Sequence, residues 1–365
     1  MPIAIPTNIV VHMGAPTTPA ADVTVPFPDY IKNVASSEIY PTWELPAIRA
    51  NVLAQTSFAL NRVFTQFYRS QGYDFDITAS TAFDQKFIRD RNIFQRVAEV
   101  VNDTFNSYIR RRGYIEPLSA KFCNGTTTTC AGLSQWGSQE LAQKGLDSVS
   151  ILKYYYGEDI EIVTNVPLQD VGDTFPGILQ RGSFGRDVLV VQRILNRVSQ
   201  DYPAQPTVWP ETGYFGAETQ AAVRSFQQIF HLTVDGIVGK NTWYRLIHLY
   251  TGINRLAELD SLGERYPVLS FQPEGEFRLG DRGEGVSALQ FMLSVLAQFY
   301  DVIPAVQIDG TFGPQTEQAV RNFQEAAGLT PTGVAGEETW DVLYRVYAAI
   351  EDEHFDEGIE FPVTR

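Results

Sequence analysis

The chain has 365 residues, 44% of them apolar and 19% charged, the balance of a globular protein built from two or three domains. Its net charge of −15 is unevenly placed: residues 1–165 hold 14 basic and 16 acidic side chains, and the remainder holds 14 and 27. That acidic second half argues against nucleic acid, anionic lipid and teichoic acid as partners, while a neutral or weakly charged polymer such as a glycan stays open.

No apolar run approaches the roughly 18 residues that a membrane span needs, so no membrane partner is expected. Met1 to Gly14 contains no Lys or Arg, and the first basic residue is Lys32. We therefore expect no secretory leader in this chain, which is then either a trimmed mature form or a protein not exported by that route. The two cysteines, Cys123 and Cys130, are too few for a disulfide-built scaffold, so the core must come from apolar burial.

In chain order, Ile9-Val10-Val11 and Val23-Thr24-Val25 read as two strands separated by Gly and Pro. Asp29 to Ile39 reads as a short helix stopped by Pro41. A long helix is expected from about Leu45 to Tyr68, with Leu45, Ile48, Val52, Ala59, Val63 and Phe67 along one face and Pro46 tolerated in the first turn. Another runs near Ile93 to Arg110 and stops at Gly113, which makes Arg110-Arg111-Arg112 a solvated helix end.

The second half is organised by a duplication. Thr212-Gly213-Tyr214-Phe215-Gly216 through Ala222-Val223-Arg224-Ser225-Phe226-Gln227 returns as Asp309-Gly310-Thr311-Phe312-Gly313 through Ala319-Val320-Arg321-Asn322-Phe323-Gln324, an offset of 313 − 216 = 97. The stretches from Leu232 to Trp243 and Leu329 to Trp340 match at the same offset. Each copy reads as three short helices, with Phe226, Trp243 and their counterparts as core. This pattern resembles the peptidoglycan-binding module found at the ends of many bacterial wall hydrolases. Two weak binders on one chain would prolong residence on a repetitive polymer. Asp260 to Gly275 reads as a linker, and the acidic tail 351–365 as a mobile end.

The chemistry of residues 1–165 is approached by elimination. A zinc amidase needs several His or carboxylate ligands, and this region has one histidine, His12. A cysteine peptidase acting on stem peptides would have to pair Cys123 or Cys130 with that same His12. No Ser-His-Asp set assembles. If the domain is an enzyme, carboxylates remain, and they point to the glycan strand.

Here a family resemblance enters. Ala35-Ser36-Ser37-Glu38-Ile39-Tyr40-Pro41-Thr42-Trp43 with Ala47-Ile48-Arg49-Ala50 resembles the glutamate-bearing motif and following helix of the stage II sporulation protein D family. Leu133-Ser134-Gln135-Trp136-Gly137 through Ile151-Leu152-Lys153-Tyr154-Tyr155-Tyr156 resembles that family's closing motif. The whole layout is similar to the clostridial spore cortex-lytic enzymes. The resemblance implies an α+β catalytic domain over 1–165, followed by two small three-helix peptidoglycan-binding modules at 178–255 and 276–350. It implies lytic transglycosylase action on the glycan strands of peptidoglycan, in the cell wall or spore cortex, without a cofactor. Such enzymes are made as precursors, which implies an activating protease as a further partner. Where the family carries Gly-His-Gly-x-Gly-Met-Ser-Gln, this chain has Thr128-Thr129-Cys130-Ala131-Gly132-Leu133-Ser134-Gln135, without the histidine of any histidine-supported metal site.

Glu38 matches the family's catalytic glutamate. Its expected place at the negative end of a helix, near Ile39, Tyr40 and Trp43, favours the neutral acid that a proton donor must be. Glu44, in the first turn of the next helix, is the nearest competitor, and Asp74, Asp76 and Asp84 are the other carboxylates in range. Ser134 and Gln135 are expected either to bind sugar hydroxyl and acetamido groups or to cap a helix. Asp84 and Gln85 fit a family motif and are expected to line the groove. Cys123 and Cys130 are open to three readings: a disulfide, half of a metal site, or packed thiols. A non-catalytic wall-binding protein that enhances a separate amidase is the competing reading of the whole chain.

Overall fold

The computed structural model describes residues 4–169, 175–209, 211, 213–264 and 276–351. The chain divides into two compact units: residues 1–175 with 247–266, and residues 176–246 with 267–365. Among the described residues, no helix is long and apolar enough to cross a membrane.

The first unit is mixed α and β. Strand β1 (Ile5–Pro6) precedes β2 (Asn8–His12) and β3 (Asp22–Pro26), which pair antiparallel with Val11 opposite Val23. The two β-branched runs are strands, as their pattern predicts, and the structure pairs them as a hairpin. Helix α1 (Phe27–Glu38) follows directly, then α2 (Leu45–Phe64). Strand β4 (Ile77–Thr78) adds to β2, and α3 (Gln95–Thr104) leads into β5 (Tyr108–Arg111). Strands β6 (Phe122–Cys123) and β7 (Leu133–Ser134) pair with each other, ahead of α4 (Gln135–Gln143) and α5 (Ser148–Tyr156). Finally β8 (Ile160–Val163) pairs with β5, and β9 (Leu168–Gln169) with β1.

Two sequence expectations are corrected here. Helix α2 is not amphipathic. Leu45 is 45% exposed, whereas Asn51, Gln55, Ser57 and Asn61 are at most 1% exposed. A helix buried on all sides is the centre of its domain, and two of its polar side chains, Ser57 and Asn61, serve the backbone around it. Ser57 Oγ accepts the Ile109 N–H at 2.8 Å, and Asn61 Nδ2 donates to the carbonyls of Pro117 and Leu256. The expected helix from Ile93 to Arg110 ends at Thr104, and Arg110 and Arg111 lie in a strand instead. The run Tyr108-Ile109 suits a sheet, and the ion pairs Arg110–Glu161 (2.6 Å) and Arg111–Asp159 (2.7 Å) tie it to β8 and the residue before it.

The expected linker also changes character. Residues 265–275 lie outside the described residues, but 254–264 are packed on the first unit. Ile115 N–H donates to the Glu264 carbonyl at 2.8 Å, and the Glu116 carboxylate accepts from Ser261 Oγ (2.8 Å) and the Glu264 N–H (2.9 Å). Most of the acidic tail, 352–365, lies outside the described residues.

Among the described residues, the second unit holds six helices: α6 (Arg186–Asp201), α7 (Ala217–Ile229), α8 (Lys240–Ile253, its last turns counted with the first unit), α9 (Glu284–Leu296), α10 (Pro314–Ala326) and α11 (Glu337–Glu351). Each copy of the repeat thus folds as three helices. Two buried glutamines per copy explain the recurring motif. Gln192 accepts the Gly213 N–H and donates to the Tyr214 carbonyl and Thr219, and Gln290 repeats this with Gly310, Thr311 and Thr316. Gln227 holds the turn at Gly236, and Gln324 the turn at Gly333. Both glycines have positive φ, +71° and +77°, which glycine alone adopts without strain. Phe226, Trp243, Phe323 and Trp340 are at most 1% exposed, so these aromatics are core. The copies also touch: Tyr214 lies 5.8 Å from Phe291, ring to ring, and the Tyr344 hydroxyl donates to the Glu211 carbonyl. They form one body rather than two tethered beads.

Candidate active site

Glu38 is the last residue of α1, half-buried between two neighbouring segments. Its Oε1 accepts the backbone N–H of Lys86 at 3.0 Å, and its Oε2 accepts from Gln135 Nε2 at 3.3 Å. The two segments that carry the family resemblance therefore meet at one carboxyl group. Both contacts use Glu38 as acceptor, and they fix the carboxyl plane while leaving each oxygen a further lone pair. Of its expected apolar neighbours, Ile39 and Trp43 are 3% and 4% exposed, whereas Tyr40 is 53% exposed.

Several residues that sequence reasoning passed over hold this arrangement. On α1, Asn33 bonds to both the N–H and the carbonyl of Ile88 (3.0 and 2.8 Å), and Ser36 Oγ accepts the Phe94 N–H. These short polar side chains on the buried face of α1 dock the 86–94 loop, which brings the Lys86 N–H to Glu38. Polar residues on a buried helix face were the available signal.

Asp84 and Gln85 are brought close to this site but not into it. The Asp84 side chain has no exposed surface; it pairs with Arg62 at 2.8 Å and accepts from Tyr68 Oη (2.5 Å), Thr78 N–H (2.9 Å) and Thr78 Oγ1 (2.7 Å). Gln85 is fully buried, accepting from Tyr30 Oη at 2.8 Å and donating to the Gln55 carbonyl at 2.9 Å. Neither side chain is available to a sugar, so the groove-lining expectation is corrected. They anchor, from behind, the loop whose next residue reaches Glu38. Burial, then the negative charges of Asp84 and Glu38, push the Tyr30 phenol well above its ordinary range, so it stays a hydrogen-bond donor.

Ser134 Oγ accepts the Gly137 N–H at 3.0 Å and caps α4, while Gln135, 2% exposed, reaches Glu38. Of the paired expectation for these two, capping describes Ser134, and Gln135 serves the carboxyl. A side chain at Gly137 would overlap the Tyr155 hydroxyl, so glycine there lets the first turn of α4 approach α5 without displacing that ring.

Cys123 and Cys130 form a disulfide. This decides among the three open readings: a disulfide sulfur is neither a metal-binding thiolate nor a nucleophile, which removes the weak metal candidacy and the cysteine-peptidase reading. His12 is also engaged, with Nδ1 2.7 Å from Asp22 Oδ1 and Nε2 near the carbonyls of Ala15 and Thr18. Among the described residues, no three His, Cys, Asp or Glu side chains are grouped to hold a metal ion. Of the competing carboxylates, Asp76 is tied to Arg69 (2.6 Å) and the Val10 N–H (2.8 Å), and Asp84 to Arg62. Glu44 is exposed at the start of α2, where its backbone N–H donates to Gln139.

Beside Glu38 lies a cluster of rings. Trp43 and Trp136 meet edge to face at 5.0 Å between centroids, and Tyr40 lies 5.7 Å from each.

Comparison with known proteins adds two findings. Residues 184–246 and 282–343 match the peptidoglycan binding domain family. The chain is also similar to N-acetylmuramoyl-L-alanine amidase CwlL of Bacillus licheniformis, 25% identical over 321 residues, which is 85% of this chain and 83% of the relative. Shorter similarities reach N-acetylmuramoyl-L-alanine amidase CwlM of Mycobacterium tuberculosis (33% over 36% of this chain) and a spore cortex-lytic enzyme of Bacillus cereus (30% over 29% of this chain). In these two the match spans only 27% and 39% of the relative.

Proposed function

We propose that this protein is a cell-wall-lytic enzyme that acts on peptidoglycan, held there by its two C-terminal modules. At the finer level we read the first unit as a lytic transglycosylase of the stage II sporulation protein D type, with Glu38 as its acid and base. The observation that carries this reading is the Glu38–Gln135 contact, which unites the two motif segments at a half-buried carboxyl group beside partly exposed aromatic rings.

The mechanism uses one carboxyl group. Protonated Glu38 gives its proton to the glycosidic oxygen as the bond from C1 of the muramic residue to that oxygen breaks. The muramic 6-hydroxyl then closes on C1, and its proton passes to the Glu38 carboxylate. The new C1–O6 bond replaces the glycosidic one, no water enters, and Glu38 is restored as the acid. Gln135 and the Lys86 N–H hold the carboxyl in place through both transfers. The amidase names among the relatives support a second reading, cleavage between glycan and stem peptide.

Mass analysis of fragments released from purified peptidoglycan separates the readings. Lytic transglycosylation gives 1,6-anhydro-muramic ends, one water lighter than hydrolysis products. An amidase gives free stem peptides and intact glycan strands. Glu38→Gln should fold and bind peptidoglycan with turnover lowered about 10²- to 10⁴-fold, and full activity in that variant would hand the chemistry to another residue.

A further inference from the structure

The ring cluster beside Glu38 has an open side. Trp43 is buried at 4% exposure, but Tyr40 and Trp136 keep 53% and 37% of their surface exposed. Large aromatic side chains that stay exposed side by side mark a contact surface more often than a lone exposed ring does. Their position is constrained from both ends. Tyr40 follows Glu38 by two residues, and Trp136 directly follows Gln135, whose amide touches the Glu38 carboxyl. Trp136 is further pinned by its own N–H, which donates to the Asn124 carbonyl at 3.2 Å inside the disulfide-closed loop. The Arg96 guanidinium donates to the Pro41 carbonyl at 3.2 Å and steadies the segment between Tyr40 and Trp43.

We propose that Tyr40 and Trp136 form a stacking subsite for one pyranose ring of a β-1,4-linked N-acetylhexosamine strand, adjoining Glu38. This rests on the reading of Glu38 as the centre of the site. A pyranose with equatorial substituents presents a face of axial C–H bonds, and the negative face of an aromatic ring attracts such a face while shedding water from both. The subsite needs no charge on its ligand, which suits a region (residues 1–165) whose 14 basic and 16 acidic side chains nearly balance. The polymer is then recognised through its sugar rings, with no requirement for a stem peptide at this point. Trp43 acts as the floor, its edge against the Trp136 ring holding that ring in place.

The test uses the full chain carrying Glu38→Gln, so that ligand is bound and not consumed, and the unsubstituted tetramer of β-1,4-linked N-acetylglucosamine as probe. Calorimetric titration is repeated with Trp136→Ala, Trp136→Phe and Trp136→Leu added. Stacking predicts that Ala weakens binding roughly tenfold, that Phe restores most of it, and that Leu does not. In the otherwise wild-type chain, Trp136→Ala should raise KM on peptidoglycan with little change in kcat. Equal affinity in all four proteins, or Leu equal to Phe, overturns the subsite. The two readings fail separately. If Glu38→Gln turns over like wild type while binding still tracks the ring at 136, the acid assignment falls and the subsite stands. If Glu38→Gln is inactive and binding ignores residue 136, the subsite falls and the acid stands.

Discussion

Gln135 Nε2 lies 3.3 Å from Glu38 Oε2, a contact across 97 positions of the chain. It places the first residue of α4 against the last residue of α1, so the carboxyl is steered by two helices at once. Gln135→Leu keeps the bulk and removes the donor. We expect kcat to fall up to about tenfold, the worth of one hydrogen bond, while sedimentation with peptidoglycan is unchanged. Unaltered kcat would mean that the contact does not steer the acid.

Asp84 should matter to stability before it matters to chemistry. Asp84→Asn leaves the Arg62 guanidinium, which stacks 3.9 Å above the Phe67 ring, without its buried counter-charge. Breaking such a pair costs about 3–5 kcal/mol, and the urea midpoint should drop accordingly. If activity vanished with stability intact, Asp84 would return as a residue that meets the substrate.

Replacing Cys123 and Cys130 together by Ser should leave chemistry in place. The bridge closes a short loop across a sequence separation of 7, for which chain entropy assigns a stabilisation of about 2–3 kcal/mol. A side chain at Gly125 would overlap Ser134 Oγ, so this loop lies directly on the α4 cap. Reduced thermal stability with turnover retained is the expected result, and loss of all turnover in a folded double variant would reopen a catalytic role.

Glu116 carries a pH dependence whose sign follows from its burial. Burial raises its carboxyl above the ordinary value of 4.5, and the hydrogen bonds from Glu264 N–H and Ser261, with the Arg111 charge, only partly pull it back. The folded state therefore binds this proton more tightly than the unfolded state. Its contribution to stability is full below the ordinary value and is lost as pH rises through the raised one. Urea titrations between about pH 4 and pH 7 should show wild type losing stability relative to Glu116→Gln as pH rises. A parallel or opposite trend would refute the assignment.

Binding by the C-terminal modules should depend little on salt. Their half of the chain is strongly acidic, so attraction to a glycan cannot be driven by charge. The full chain carrying Glu38→Gln should sediment with insoluble peptidoglycan almost equally at about 0.1 M and about 1 M salt, although the screening length falls from about 10 Å to about 3 Å. Release at high salt would point to a charged ligand instead.

What the sequence determined by itself is the local and the repeated. The strands at Ile9–Val11 and Val23–Val25, a short helix over about Asp29 to Ile39 and the three helices of each module follow from period, proline and glycine placement, because those rules act within a few residues. The core role of Phe226 and Trp243 follows from the same spacing. Tertiary structure decided everything that depends on a distant partner. It turned Arg110 and Arg111 into a strand, because β8 and the residue before it supply their hydrogen bonds and counter-charges from about 50 residues away. It withdrew Asp84 and Gln85 from the surface, because Arg62 and Tyr30 satisfy them inside. It joined Cys123 to Cys130, a choice that sequence spacing left open. It also gathered Tyr40, Trp43 and Trp136 beside one carboxyl group, since ring-to-ring contact across nearly a hundred residues leaves no periodic trace in the chain.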